Sequence, residues 1–224
     1  MFKAARRDPS AVLLAAQLAG VLLYPFMEGA AGRALFSVFG ILILGLVLIA
    51  ARGSVGFNWV GPLLAVPATI LLLIQAVTGD DALLPYSSAL EAILYFYAAG
   101  ALIAYMLADH IITRDELFAV GATFTLVAWA FAYAFVVCQA IEPGSFTGSV
   151  DPEADRTWME LLFLSFTTLS STGLSDIYPV ESFARSLVML EQVAGVGYVA
   201  MVVSRLVGLM VMRGRPDLDR PDAP

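Results

Sequence analysis

The chain has 224 residues, 60% hydrophobic and only 14% charged, with a mean hydropathy of +0.84, which excludes a soluble globular domain and indicates an integral membrane protein. Its formal charge of −7, from 12 Lys and Arg against 19 Asp and Glu, must sit mostly between the apolar runs. A single cysteine, Cys138, and a single histidine, His110, exclude a disulfide framework and Cys- or His-cluster metal sites within one chain.

The first apolar run, 10–27, follows Lys3, Arg6 and Arg7 and reads as an ordinary first transmembrane helix rather than a cleaved signal. A turn at 28–33 leads to a second run, 34–51, of almost pure Leu, Ile, Val and Ala; 52–56 closes the next loop. The third run, 57–78, carries Pro62 and Pro67, whose freed carbonyls need partners from neighbouring helices or water. After the acidic turn at 79–81 comes a fourth run, 83–107, containing Glu91. That carboxyl is expected either to bond a neighbour such as Gln75 or to lie beside a watery crevice. No Lys or Arg occurs from Ala82 to Thr113, which argues against an arginine-ladder voltage sensor. In the connector that follows, Thr113 and Glu116 have the spacing of a helix cap.

The fifth and sixth runs, 117–141 and 183–212, are each long enough to cross a hydrocarbon core of ~30 Å at ~1.5 Å per residue. Between them, after a hydrophilic loop at 148–156, lies LLFLSFTTLSSTGLSD at 161–176. It starts apolar and becomes hydroxylated through Thr167, Thr168, Ser170, Ser171 and Thr172, then continues Gly173, Leu174, Ser175, Asp176. Such backbone is tolerated at membrane depth only where it is buried in protein or lines a watery path. The economical reading is helix, re-entrant pore helix with loop, helix. Trp158, near the start of that short helix, reads as an interfacial anchor.

Thr168 to Asp176 resembles the pore signature of the potassium channel superfamily, Thr-x-Thr-Thr-Val-Gly-Tyr-Gly-Asp. The following Ile-Tyr-Pro179-Val and Ala184-Arg185-Ser-Leu resemble the turret and inner-helix start of prokaryotic members. The resemblance covers about 116–209 and departs at the centre. Ser171 stands for Thr, Thr172 for Val, Leu174 for Tyr and Ser175 for the second Gly. It implies an all-α membrane protein of six transmembrane helices, with a re-entrant pore helix and filter loop between helices five and six, assembled as a homotetramer. The four apolar runs within 1–115 read as a four-helix, non-voltage-sensing domain, and the resemblance makes 116–213 the pore domain. The polar tail at 214–224 is expected to be disordered.

The function implied is a passive cation channel in which Ser171, Thr172, Gly173, Leu174 and Ser175 form the conducting filter. Thr167, Thr168, Ser170 and Asp176 flank it, and a monovalent cation, K+ or Na+, is held at Ser171, Thr172 and Gly173. Gly173 keeps the position where left-handed backbone is easiest, whereas an L-residue at Ser175 forced left-handed costs about 1–2 kcal/mol. Leu174 lacks the tyrosine hydroxyl. Weak potassium preference is therefore expected; the alternative is a non-conducting pseudo-channel serving as a membrane scaffold or sensor. On the sixth run, Glu191 could bond hydroxyls behind the filter or attract cations in the cavity, while Gly195 and Gly197 either soften the helix or let it pack closely.

Charge sets the expected topology. Nine of the 12 basic residues fall on one side with the termini, and Arg33, Arg156 and Arg185 on the other, so both termini are expected in the cytoplasm of a multi-pass protein of the cell (inner) membrane. The outer face then carries ten carboxylates, which concentrate cations at a mouth. No phosphate-binding glycine loop, catalytic triad or nucleic-acid patch is present. The expected partners are further copies of the chain and the lipid bilayer, without enzymatic activity, a cofactor, nucleic acid or a small-molecule substrate.

Overall fold

The computed structural model describes residues 8–24, 40, 42–43, 45–46, 59–78, 81–108 and 113–213. Six helices carry the fold: α1 (Pro9–Leu23), α2 (Val60–Thr78), α3 (Leu84–Leu107), α4 (Arg114–Ile141), α5 (Trp158–Leu169) and α6 (Ser182–Arg213). Two short strands, β1 (Phe146–Gly148) and β2 (Ile177–Pro179), flank α5. Among the described residues three helices are long and apolar enough to cross a membrane: Leu84–Leu107, Arg114–Ile141 and Ser182–Val211. The apolar helices Pro9–Leu23, Val60–Gln75 and Trp158–Leu169 are shorter. The described residues of the second run, 40, 42–43 and 45–46, are helical. The turns at 28–33 and 52–56, His110 and the tail at 214–224 lie outside the described residues.

α4 is the hub. In a bilayer, lipid is as apolar as leucine, so helices associate through small residues, close packing and interhelical hydrogen bonds. Ala119, Ala122, Ala128, Ala130 and Ala132 are buried along α4 and let its neighbours approach. A Cβ added at Gly121 would sit 2.9 Å from Leu14 of α1, so the glycine sets that crossing too. Between α3 and α4, Tyr95 stacks on Tyr133 (centroids 5.6 Å apart) and meets Trp129 edge-on at 6.0 Å. Trp158 of α5, half-buried, packs on Trp129 at 5.3 Å and on Tyr133 at 5.5 Å. Cys138 is buried in a second cluster with Phe135, Phe146 and Leu161.

Polar residues are placed with equal economy. Glu91 is buried and faces Tyr133 of α4. Gln75, the expected neighbour, instead donates to Ser87 Oγ at 2.9 Å. Thr113 caps α4 as its spacing predicts, accepting from Glu116 N at 3.2 Å. The two acids in that first turn reach different helices. Asp115 accepts from Ser10 N (3.0 Å) and Ser10 Oγ (2.9 Å) at the start of α1, and Glu116 pairs with Arg205 of α6 at 3.1 Å.

The α4–β1–α5–β2–α6 segment is ordered by these contacts. Glu116–Arg205 and a 2.6 Å hydrogen bond from Tyr198 to Val120 O join the start of α4 to the far part of α6. Phe135 and Phe146 share a cluster with Ile177, Ala184 and Val188 at the opposite end. The two long helices therefore run antiparallel, with α5 wedged between them.

Candidate functional site

α5 begins with a complete capping box. Thr157 Oγ1 accepts from Glu160 N (3.3 Å), and Glu160 Oε2 accepts from Thr157 N (2.7 Å). Its flank is held on both sides. Ser165, fully buried, donates to Ala128 O of α4 at 2.8 Å and contacts the Glu191 carboxyl of α6. A hydroxyl has one proton and Ala128 O can only accept, so keeping both contacts needs the carboxyl's own proton. One turn further, Gly195 lies against Leu169 O, and a Cβ there would collide with that backbone. Glu191 and Gly195 thus grip Ser165 and Leu169, four residues apart on both helices, and α5 and α6 run in the same sense. Of the two readings of Gly195, close packing is the one the geometry carries. Gly197 meets nothing within 4 Å.

The end of α5 is a Schellman motif. Thr172 N donates to Thr167 O at 2.9 Å and Ser171 N to Thr168 O at 3.0 Å, while Ser171 takes the left-handed backbone at φ 60°. Gly173 N also donates to Thr167 O, at 3.1 Å, with φ 65°. The hydroxyls expected to line a path largely serve this turn. Ser170 Oγ bonds Phe166 O (2.6 Å), Thr172 Oγ1 bonds Thr167 O (3.2 Å), and Thr167 Oγ1 bonds Leu164 O (2.9 Å). Thr168 is buried.

The left-handed strain expected at Ser175 falls on Ser171 instead. The helix ends with Ser171 in the position that glycine usually fills, whereas Ser175 keeps an ordinary φ and its Oγ accepts from Ile177 N at 3.0 Å. Leu174 is 78% exposed, without a wall behind it.

From there the chain turns back. Asp176 O accepts from Ser149 N at 3.2 Å, and Val180 N donates to Ser145 O at 2.8 Å, beside the end of α4. β1 and β2 pair antiparallel with Gly148 opposite Ile177. Gly195, where α5 ends, is about 20 Å along α6 from its start at 1.5 Å per residue. Residues 170–176 lead from that level to β2, and the first of them are folded into the helix-end turn, where Thr172 N and Gly173 N both meet Thr167 O. Among the described residues, no donor reaches the carbonyls of Ser171, Thr172, Gly173, Leu174 or Ser175. Residues 171–174 are exposed in the single chain.

The site also contains residues that the sequence did not single out. Arg156 is buried in the loop before α5, bracketed by Gln139 of α4, which accepts from Arg156 N (2.9 Å) and donates to Arg156 O (3.1 Å). The available signals were a lone polar residue late in the fifth run and the i, i+4 pair Arg156–Glu160.

Residues 121–212 match the profile of a family described as "Ion channel". The match takes in α4 from Gly121 onward, α5, the 171–175 loop and nearly all of α6, and supports an ion channel and a transmembrane protein. Neither a search of curated proteins nor one of solved structures gives a match.

Proposed function

We propose that the chain is one subunit of a homotetrameric channel that passes monovalent cations passively across the cell membrane, with six spans, both termini cytoplasmic and residues 161–176 re-entrant. The observation that carries this reading is the row of free carbonyls at Ser171–Ser175, in a loop that follows a short helix between two long apolar ones. Dehydrating a cation needs replacement oxygens, and one loop supplies a quarter of each ring, so four copies around an axis complete it. K+ is the favoured ion, with Na+ tolerated. The Schellman turn commits Ser171 to closing the end of α5, and Leu174 has no hydroxyl to brace the loop. With no Lys or Arg on α3, opening is not steeply voltage-dependent.

The test is K+ and Na+ flux from liposomes holding the purified chain, together with its subunit count by native mass measurement. Flux of both ions by a tetramer, with a modest K+ preference, is expected. Replacing Ser171→Thr, Thr172→Val, Leu174→Tyr and Ser175→Gly together should raise the K+ share. A monomer, or a tetramer passing neither ion, would overturn the reading.

A further inference from the structure

Arg156 lies outside the conducting loop, yet it is only 5% exposed and every polar group on it is engaged. Its guanidinium has five N–H groups. Nε donates to Ala154 O (2.9 Å), Nη1 to Val150 O (3.2 Å) and Glu160 Oε1 (3.4 Å), and Nη2 to Asp151 O (2.5 Å) and Ala154 O. The outer loop is curled around this fork tightly enough that Asp151 adopts φ 50°. A Cβ at Gly148 would sit 2.5 Å from Nη1 and 3.0 Å from Ile177 Cδ1, so the guanidinium also bears on β1. β1 pairs with β2, and Ser149 N holds Asp176 O. An unbroken run of contacts therefore leads from the guanidinium through the loop and β1 to the residue that directly follows Ser175.

We propose that Arg156 is a positioning residue that fixes the outer end of the 171–175 loop, and through it the spacing of the outermost carbonyls. Its effect on flux rests on the channel reading; its effect on the loop does not. A planar fork is required because three backbone carbonyls and a carboxylate converge from different directions, which the compact ammonium of lysine does not match.

The experiment uses the full chain in liposomes with Arg156→Ala and Arg156→Lys, measuring hydrogen exchange of peptides covering 176–180 and 191–199 and the ratio of K+ to Na+ flux. Both variants should speed exchange at 176–180 about tenfold or more and leave 191–199 unchanged. The flux ratio, which does not depend on how much protein is active, should shift about threefold or more. Unchanged exchange at 176–180 overturns the proposal. So does faster exchange with an unchanged ratio in a conducting protein, or full restoration by lysine, which would make the charge rather than the fork responsible. If the native chain passes neither ion, the channel reading fails and the exchange arm alone decides whether Arg156 holds the loop. If Arg156→Ala does not assemble, Arg156→Gln, which keeps length and some donors but loses the fork, is read in the same two ways.

Discussion

α4 and α6 are both long and apolar, and the protein treats them differently. The most apolar window of α4 is 67% buried and that of α6 only 17%. α4 is covered by α1, α3, α5 and α6, whereas α6 offers a single buried strip: Ala184, Val188, Glu191, Gly195 and Tyr198. Alternating steps of four and three residues make that strip one narrow seam along the helix. Leu209 continues the strip, and on the other sides of α6 Val193, Val196, Val199 and Val203 are exposed. Apolarity along a sequence therefore says that a helix avoids water, and only packing says whether it meets its own chain. In the proposed assembly, the uncovered sides of α6 face lipid, neighbouring copies and the conducting path.

The seam can be broken most severely at Gly195. Gly195→Ala drives a methyl into Leu169 O, a backbone atom that cannot rotate away, and should abolish most flux and destabilise the fold by about 3 kcal/mol. Thermal melting in detergent and liposome flux measure the two effects. Glu191→Ala comes next: it removes the link to Ser165 and leaves a void, for an expected loss of roughly 2 kcal/mol. Glu191→Gln still donates to Ser165 Oγ and should cost less than about 1 kcal/mol. Equal damage from both would instead favour a role for the carboxylate charge in attracting cations. Ser171→Gly relieves the left-handed backbone and should stabilise α5 by about 1 kcal/mol, seen as a higher melting temperature. The smallest effect is expected at Gly197, where a methyl meets open space: Gly197→Ala should change stability by under about 1 kcal/mol, in the stabilising direction. A large loss there would mean that the exposed side of α6 is covered in the assembly.

The long helices were legible because each is an uninterrupted apolar run, and α5 because its sequence turns from leucine to hydroxyls within three turns. The cap at Thr113 was read from its spacing to Glu116. The same spacing at Thr157 and Glu160 went unread, since the hydrophilic loop before it gave no sign of structure. What the sequence could not reveal were pairings between elements far apart in the chain. Gly195 is visibly small, but that it lies against Leu169 depends on where α5 stops. The left-handed residue was placed at Ser175 by analogy with a glycine, when the register of the helix end decides it and assigns it to Ser171. Glu91 looks solitary in the sequence because the side chain it faces, Tyr133, lies on another helix.

Asp115 and Glu116 are neighbours on one turn, yet they hold opposite ends of the chain's described part: Ser10 at the start of α1 and Arg205 near the end of α6. In mechanical terms that turn is a shared bearing. A load that tilts α1 and a load that swings the end of α6 reach the same turn of α4 through adjacent residues, and any free energy with which one biases the other is the same in both directions.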